Sequence, residues 1–568
     1  MTAIRDWLRG IFNRETVRED GVAGLVLGVE SIPDGLAAGL LAGVNPAFGL
    51  YGYMFGTVAG ALFTSATFMA VQATGAMAIV VADVPAVHQS TDPGRALFTL
   101  AVLTGVVMLV AGLLKLGSVL RWVSNSVMVG FMNAVGVNII LGQLDNFSGY
   151  EAEGANRVAR GLNLVFNLFE AHWPSMIIGA ATIALIIYLE KTRLGPLGLV
   201  VAVVATSSVV PIFSWKVAQL QHITDIPRSL PLPILPDPGL FGALLLPAAA
   251  LAFVGLVQGA GISANFPNPD GEYPDASKDF VGQGAANLAA GLLQGMPVGG
   301  SASASSLVKE AGAKSKQALI FAGLTMVFAV LVLGNAVGYI AMPALAGLLM
   351  LIGFRTIKPA DVKAVWRTGA TNATVMTVTF ALTMLIPLQN AVLAGVGISV
   401  ILFVIGQSNS IVVRRWRIED GSMKEEDAPT VLPAGEAVVL QPYGTLFFAI
   451  APKFEEALPE VADSSSGSVV LIRLRGKSDL GTTFMEVLAR YAKRLEKVGS
   501  KLMLISADDR VIEQLRVTGV TAIVGERNIY PADEWLGGTV KKAHADALKW
   551  IDSGGQIEPE GHDDARSS

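Results

Sequence analysis

What limits this chain most is a series of apolar segments that continues almost unbroken from Gly21 to about Gln407. They fall near 22–43, 47–63, 70–83, 96–114, 122–142, 174–190, 195–213, 242–264, 280–295, 300–308, 317–337, 340–353, 371–386 and 388–406, about fourteen in all. Most are long enough to cross a hydrocarbon layer about 30 Å thick as a helix, and a few are too short. A chain of 568 residues that is 52% hydrophobic and 15% charged, with a mean hydropathy of +0.55, is too apolar for a soluble globule. The expected class is therefore a polytopic α-helical membrane protein. Its cations sort consistently: Lys115 with Arg121, Lys191 with Arg193, Lys309 with Lys314 and Lys316, then Arg355, Lys358, Lys363 and Arg367, then Arg414, Arg415 and Arg417. With the N-terminus inside, every cluster falls on the cytoplasmic side of the membrane.

The segments divide into seven plus seven around a polar, Pro-rich connection at 214–240, giving repeats at 21–213 and 242–408 within a transport domain of 21–410. An odd number of spans per half inverts the second half relative to the first. The third element of each half is irregular. In the second half, Gly295-Met296-Pro297-Val298-Gly299-Gly300 breaks the chain before Ser301-Ala302-Ser303-Ala304-Ser305-Ser306-Leu307-Val308. A helix from Gly300 to Val308, rising 1.5 Å per residue, spans about half the membrane. In the first half the matching stretch runs from Phe68 through Gln72-Ala73-Thr74-Gly75-Ala76-Met77-Ala78. Short, Gly-interrupted segments at corresponding places in two repeats point to a transporter's binding site. Two half-helix N-termini facing each other at the midplane would join positive dipole ends and unpaired N–H groups, a site suited to an anion. The plainer explanation of the same residues is a small-residue helix contact.

The first segment carries Glu30-Ser31-Ile32-Pro33-Asp34-Gly35-Leu36, two carboxylates one turn apart inside an apolar run. An acid at membrane depth costs about 2.5 kcal/mol or more on insertion scales, so Glu30 and Asp34 are candidates for coupling. Other chemistry finds little support. The chain has no Cys and five scattered His, so no disulfide, thiolate or histidine metal site is expected, and no nucleophile–base pair suggests an enzyme. No cofactor is expected. The net charge of −5 averages a near-neutral membrane part with a charged C-terminal part and gives no reason to expect nucleic acid. Residues 1–20 are no signal peptide; Trp7, Leu8, Ile11 and Phe12 lie opposite Arg5, Arg9 and Arg14, as on an interfacial helix.

Ile32-Pro33-Asp34-Gly35-Leu36-Ala37 followed by Ala42-Gly43-Val44-Asn45-Pro46-Ala47-Phe48-Gly49-Leu50-Tyr51 resembles the signature of the SulP anion permeases, the family of animal prestin and pendrin relatives. Val281-Gly282-Gln283-Gly284-Ala285-Ala286-Asn287-Leu288, leading into Gly295–Ser306, is similar to that family's approach to its tenth helix. The resemblance covers nearly the whole chain. It implies a seven-plus-seven inverted repeat in an inner membrane, a core domain moving against a gate domain as an elevator, an anion site between the third and tenth helices, a homodimer, and a cytosolic C-terminal STAS domain. Substrate-binding residues by this resemblance are Asp34, Thr74, Gly75, Ala76, Met77, Gln258, Gly300, Ser301, Ala302, Ser303 and Ser305.

Departures from the family pattern are also clear. Asp34 stands for the pocket Gln and Ala38 for its aromatic neighbour; Gln258 stands for a frequent acid, and Ala304 or Ser305 for an Arg; Gln72-Ala73 replaces Gly-Pro. The missing acid at Gln258 argues against sodium coupling and leaves Asp34, with Glu30 near it, to carry a proton. The expected function is secondary transport, symport or exchange, of a small inorganic or organic anion such as sulfate, bicarbonate or a carboxylate across the lipid bilayer. Alternatives are an anion channel or voltage-responsive membrane protein, or a transporter of a neutral or protonated substrate.

Beyond Arg417 the composition changes. Residues 411–435 read as a charged linker, 436–552 as a soluble α/β domain, and 553–568 as an acidic, disordered tail. Strands are expected at Ala437–Gln441, Gly444–Ala449, Ser468–Leu474 and Lys501–Ile505, with helices from Pro452 and from Thr482 to Val498. The Gly444–Ala449 stretch and the loop Lys477–Phe484 are similar to STAS sequences. Thr482 then takes the place of the phosphorylatable Ser of the anti-sigma antagonists, either as a regulatory site or as an ordinary helix start.

Overall fold

Proline and polar caps set the helix starts. Asn45 accepts a hydrogen bond from Ala47 N ahead of Pro46, and Asp92 accepts one from Arg95 N ahead of Pro93. The structure, a computed structural model, describes residues 15–557 apart from 118–123, 155, 223–228, 387–389, 392–393, 395–396, 399–400, 402–410, 420–421, 445–449, 478–479 and 535–536. The interfacial helix expected before residue 15, most of the 388–406 segment, the strand expected at Gly444–Ala449 and the tail beyond 557 lie outside the described residues. The chain forms two compact units, 1–399 and 400–568.

The first unit is helical. Its first half contains α1 (Val17–Leu41), α2 (Pro46–Phe63), strand β1 (Ala70–Gln72) leading into the short helix α3 (Gly75–Ala82), α4 (Pro93–Leu113), α5 (Asn125–Gly142), the amphipathic α6 (Arg157–Phe166), α7 (Trp173–Leu189) and α8 (Gly198–Ile212). The second half repeats the order: α9 (Phe241–Asn265), α10 (Ala276–Leu292), β2 (Gly299–Ser301) leading into α11 (Ala302–Glu310), α12 (Gln317–Gly338), α13 (Met342–Thr356), the amphipathic α14 (Pro359–Arg367) and α15 (Ala370–Leu385). The sequence reading matches this order closely. It differs at several ends and does not include the amphipathic α6 and α14. α1 begins at Val17, before the expected boundary, and α11 begins at Ala302 because Gly300 belongs to a strand.

Glycines let the helices touch backbone to backbone. A Cβ on Gly105 would lie 2.8 Å from Gly284 O, which fixes how closely α4 and α10 pack. Asp20, in the first turn of α1, is fully buried and accepts from Lys314 N, Ser315 N and Ser315 Oγ. Asp279, in the first turn of α10, is also fully buried and accepts from Ser65 N, Ser65 Oγ, Ala66 N and Ser263 Oγ. Each carboxylate thus holds a loop that its own helix does not contain, and each is compensated by at least three donors.

The second unit is a six-stranded sheet in the order β4-β3-β5-β6-β7-β8, with β3 at Val412–Glu419, β4 at Ser422–Asp427, β5 at Ala437–Tyr443, β6 at Val469–Arg473, β7 at Lys501–Ala507 and β8 at Ile529–Pro531. Strands β5 to β8 run parallel, and β3 pairs antiparallel with both β4 and β5. Helices α16 (Ala451–Ala457), α17 (Gly481–Lys497), α18 (Asp509–Val517) and α19 (Gly538–Asp552) cover it. The linker expected at 411–435 is a correction: residues 412–427 are a hairpin on the sheet edge. Trp416, Ile418 and Met423 pack against the core under α19, while the charges that suggested a linker pair across the hairpin, as Arg417 does with Glu426. Thr482 is exposed at the second position of α17, whose N-cap is Leu480.

Candidate functional site

Strands β1 and β2 come from opposite halves of the membrane unit and meet as an antiparallel pair, Ala70 opposite Ser301, Val71 opposite Gly300 and Gln72 opposite Gly299. Each strand turns into a half-helix capped by its own hydroxyl. Thr74 Oγ1 accepts from Met77 N at 3.3 Å, and Ser301 Oγ accepts from Ala304 N at 3.4 Å. The remaining N–H groups of both first turns have no partner within their helices. Pairing the strands therefore brings two positive helix ends to one place, and the chain crosses the membrane interior there without orphaning its strand amides.

Side chains from α9 and α10 support this crossing. Thr74 Oγ1 donates to Gln258 Oε1 at 3.1 Å, joining α3 to α9. A Cβ on Gly299 would lie 2.9 Å from Gly255 Cα, 3.5 Å from Gln258 Oε1 and 3.7 Å from Met77 Sδ, so these residues share one small space. Gln283 Oε1 accepts from Gly300 N at 3.1 Å. Asn287 Nδ2 donates to Val298 O at 2.6 Å while its Oδ1 accepts from Val298 N at 2.9 Å. Asp279, Gln283 and Asn287 thus form a stripe four residues apart on α10, all fully buried, each holding a different piece of non-helical backbone. The sequence reading quoted Gln283 and Asn287 without giving them a role. Their i, i+4, i+8 spacing on an apolar helix was the available signal.

The expected site residues separate into groups. Ser31 Oγ accepts from Gln72 Nε2 at 3.0 Å, and Leu41 Cδ2 lies 4.0 Å from the place of a Cβ on Gly75. The face of α1 that carries Ser31, Asp34, Ala38 and Leu41 therefore runs along β1 and α3. Asp34 lies on that face, and its Oδ1 is buried without a hydrogen-bond partner. Glu30 lies one turn back, within electrostatic reach of Asp34. Thr74, Gly75, Met77, Gln258, Ser301, Ala302 and Ser303 all surround the crossing, Ala302 and Ser303 exposed and Met77 fully buried. Gly300 and Ser305 also bond to the scaffold. The Gly300 N–H is taken by Gln283, and Ser305 Oγ donates to Ser301 O at 2.6 Å while accepting from Ala70 N at 3.1 Å. Ala76 is buried and contributes packing.

Residues 17–379 match the sulfate permease family, and residues 428–534 match the STAS domain. The chain belongs to the sulfate permease family. Its members are transporters rather than enzymes, and the permease is a multi-pass integral membrane protein with a C-terminal STAS domain. It is 26% identical over 542 residues to the "Probable sulfate transporter Rv1739c" of Mycobacterium tuberculosis, covering 92% of this chain and 96% of that one. It is 25% identical over 402 residues to the bicarbonate transporter BicA of Picosynechococcus, covering 69% and 71%. The structure of murine solute carrier 26 family member A9, an anion transporter in the inward-facing state, superposes with a TM-score of 0.83 at 19% identity, covering 95% of this chain and 94% of that one. At that identity the likeness is one of fold. The permease also holds a polar cavity of about 920 Å³ at the C-terminal end of α3. There Asp83, just past α3, pairs with Arg157 of α6 at 2.8 Å.

Proposed function

We propose that the permease is a secondary transporter of small anions whose substrate sits between the N-termini of α3 and α11 and whose uptake is coupled to a proton carried by Asp34. The convergence of two capped half-helices on a strand pair carries this reading. The site offers first-turn N–H groups and the Ser303 hydroxyl, an arrangement that attracts an anion without binding it too tightly to release. Sulfate and bicarbonate, the substrates in the relatives' names, are the first anions to test.

Asp34 supplies the coupling. Its unpaired Oδ1 lies on the face of α1 that follows β1 and α3. A second negative charge arriving beside a carboxylate is relieved when the carboxylate takes up a proton, which ties one proton to one substrate. In this reading the core helices move against α5, α7, α8, α13 and α15 to carry the site across, the permease acts as a homodimer, and the Lys/Arg clusters put the STAS domain on the cytoplasmic side.

Uptake into proteoliposomes tests the reading. Sulfate, bicarbonate and a carboxylate series are supplied with and without an inward proton gradient. The expected result is saturable uptake of one of them that is accelerated by the gradient. Asp34→Asn should keep substrate exchange and lose the response to pH. Uptake flat from about pH 5 to pH 8 in both proteins would remove Asp34 from the mechanism, and conduction at a fixed anion reversal potential would make the permease a channel.

A further inference from the structure

The groove formed by α5, α14 and α15 has no part in the site described above. It encloses about 760 Å³. Its walls are apolar: Val129 and Val137 on α5, Met376 and Phe380 on α15. The polar atoms among them are already satisfied. Asn133 Nδ2 donates to Val129 O and its Oδ1 accepts from Lys358 N, while Thr377 Oγ1 donates to Ala373 O. Such walls offer nothing to a polar ligand and a continuous surface to a hydrocarbon.

The rim is different. α14 lies across one end of the groove, three residues before α15 begins, and carries Lys363 and Arg367 at i, i+4 on one face with Trp366 beside them. Lys358, Lys363, Trp366 and Arg367 are exposed, and Asp361 is the acid among them. Among the described residues neither Lys363 nor Arg367 has a carboxylate partner. An amphipathic helix with outward cations and an exposed Trp belongs at headgroup level. From there Phe380, ten residues beyond the start of α15 at Ala370, lies about 15 Å deeper along the helix axis. The groove thus begins among cations at the interface and ends among apolar side chains at acyl-chain depth.

We propose that this groove binds an anionic phospholipid, its phosphate between Lys363 and Arg367 and one acyl chain against Val137 and Phe380. The charge at the rim and the depth of the groove favour a lipid over a second copy of the chain, which would need a complementary acidic patch. The site bears on transport because α5 separates it from the substrate region. The other face of α5 presents Val127 and Phe131 to a small gap that also contains Gln258. A lipid in the groove steadies the wall against which the substrate site is closed.

The test uses the full-length protein. Native mass spectrometry with phosphatidylglycerol and phosphatidylcholine should show retained phosphatidylglycerol in preference. Lys363→Gln and Arg367→Gln should each reduce that preference about fivefold. Thr377→Trp, at an exposed position in the wall, should displace both lipids by filling the groove. A photo-crosslinking amino acid at position 377, activated in native membranes, should attach to lipid. Equal retention of the two lipids, an unchanged preference when Lys363→Gln and Arg367→Gln are combined, or crosslinks to peptide of this chain or of a second copy would overturn the proposal.

Discussion

The two half-helices occupy equivalent places in the two halves and are made of opposite materials. α3 is apolar, and every residue from Ala76 to Val81 is buried. α11 carries Ser303, Ser305 and Ser306 behind the capping Ser301 and leaves Ala302 and Ser303 exposed. Their far ends differ too. α3 finishes at Asp83, an acid at the negative end of a helix, which Arg157 compensates. α11 finishes near Lys309, favourable to its dipole, with the ammonium 5.6 Å from the Phe68 ring centre and 5.3 Å from that of Phe266. Under the proposed function, α3 is a packed wedge that offers a dipole, and α11 is the face that meets the substrate.

Glycine substitutions should break the comparison most sharply. A Cβ on Gly300 would lie 2.9 Å from Gly259 Cα and 2.9 Å from Ile262 Cδ1, so β2 cannot stay in place. Gly300→Ala should cost about 3 kcal/mol and abolish uptake. A Cβ on Gly75 meets the tip of Ile139 at 2.7 Å, which can rotate away, and alanine favours the helix. Gly75→Ala should stay within about 1 kcal/mol of the parent. Thermal unfolding in detergent beside uptake compares the two. Equal damage at both positions would show that the halves are equally tight.

Asn287→Ala comes next. It leaves Val298 N–H and C=O unpaired in a buried place, which should lower stability by about 2–3 kcal/mol. Uptake should fall with it, because Val298 sets the path of β2. A variant as stable as the parent would mean that the α10 stripe is not what holds the crossing. Ser303→Leu makes the opposite dissociation: unfolding little changed with uptake lost, since the side chain is exposed at the site and its hydroxyl meets that of Ser301, two residues back, at 3.2 Å. The smallest effect is expected from Lys309→Gln, about 0.5–1 kcal/mol in stability with saturable uptake retained. A strong loss of affinity there would extend the anion's path to the far end of α11.

Much of this was legible in order of helices. The apolar segments, the break at Gly295–Gly300 and the matching irregularity at Gln72–Gly75 could all be read because Pro, Gly and hydrophobic length act locally. The hairpin at 412–427 was misread for a local reason as well. Its charged residues alternate with Trp416 and Ile418, and the charge density outweighed the alternation. Ser305 was assigned to the substrate site through the family resemblance, as one of the two positions that stand for an Arg. Only the pairing with Ala70, 235 residues away, shows that its hydroxyl is occupied.

The sequence by itself determined a membrane chain of repeated halves, a broken element in each, two acids in the first span and a separate α/β domain. Each follows from side-chain hydrophobicity and backbone freedom within a few residues. Tertiary structure alone decided that the two broken elements pair, that Gln283 and Asn287 hold the second of them, that the Gly300 N–H and the Ser305 hydroxyl bond to the scaffold, and that Asp34 keeps a carboxylate oxygen without a partner. Hydrogen-bond capacity is written in the residue type, but which partner consumes it depends on packing between separate segments, 11 residues apart for Asn287 with Val298 and 235 for Ser305 with Ala70. That choice is made when the helices close on their glycine contacts, and no local pattern contains it.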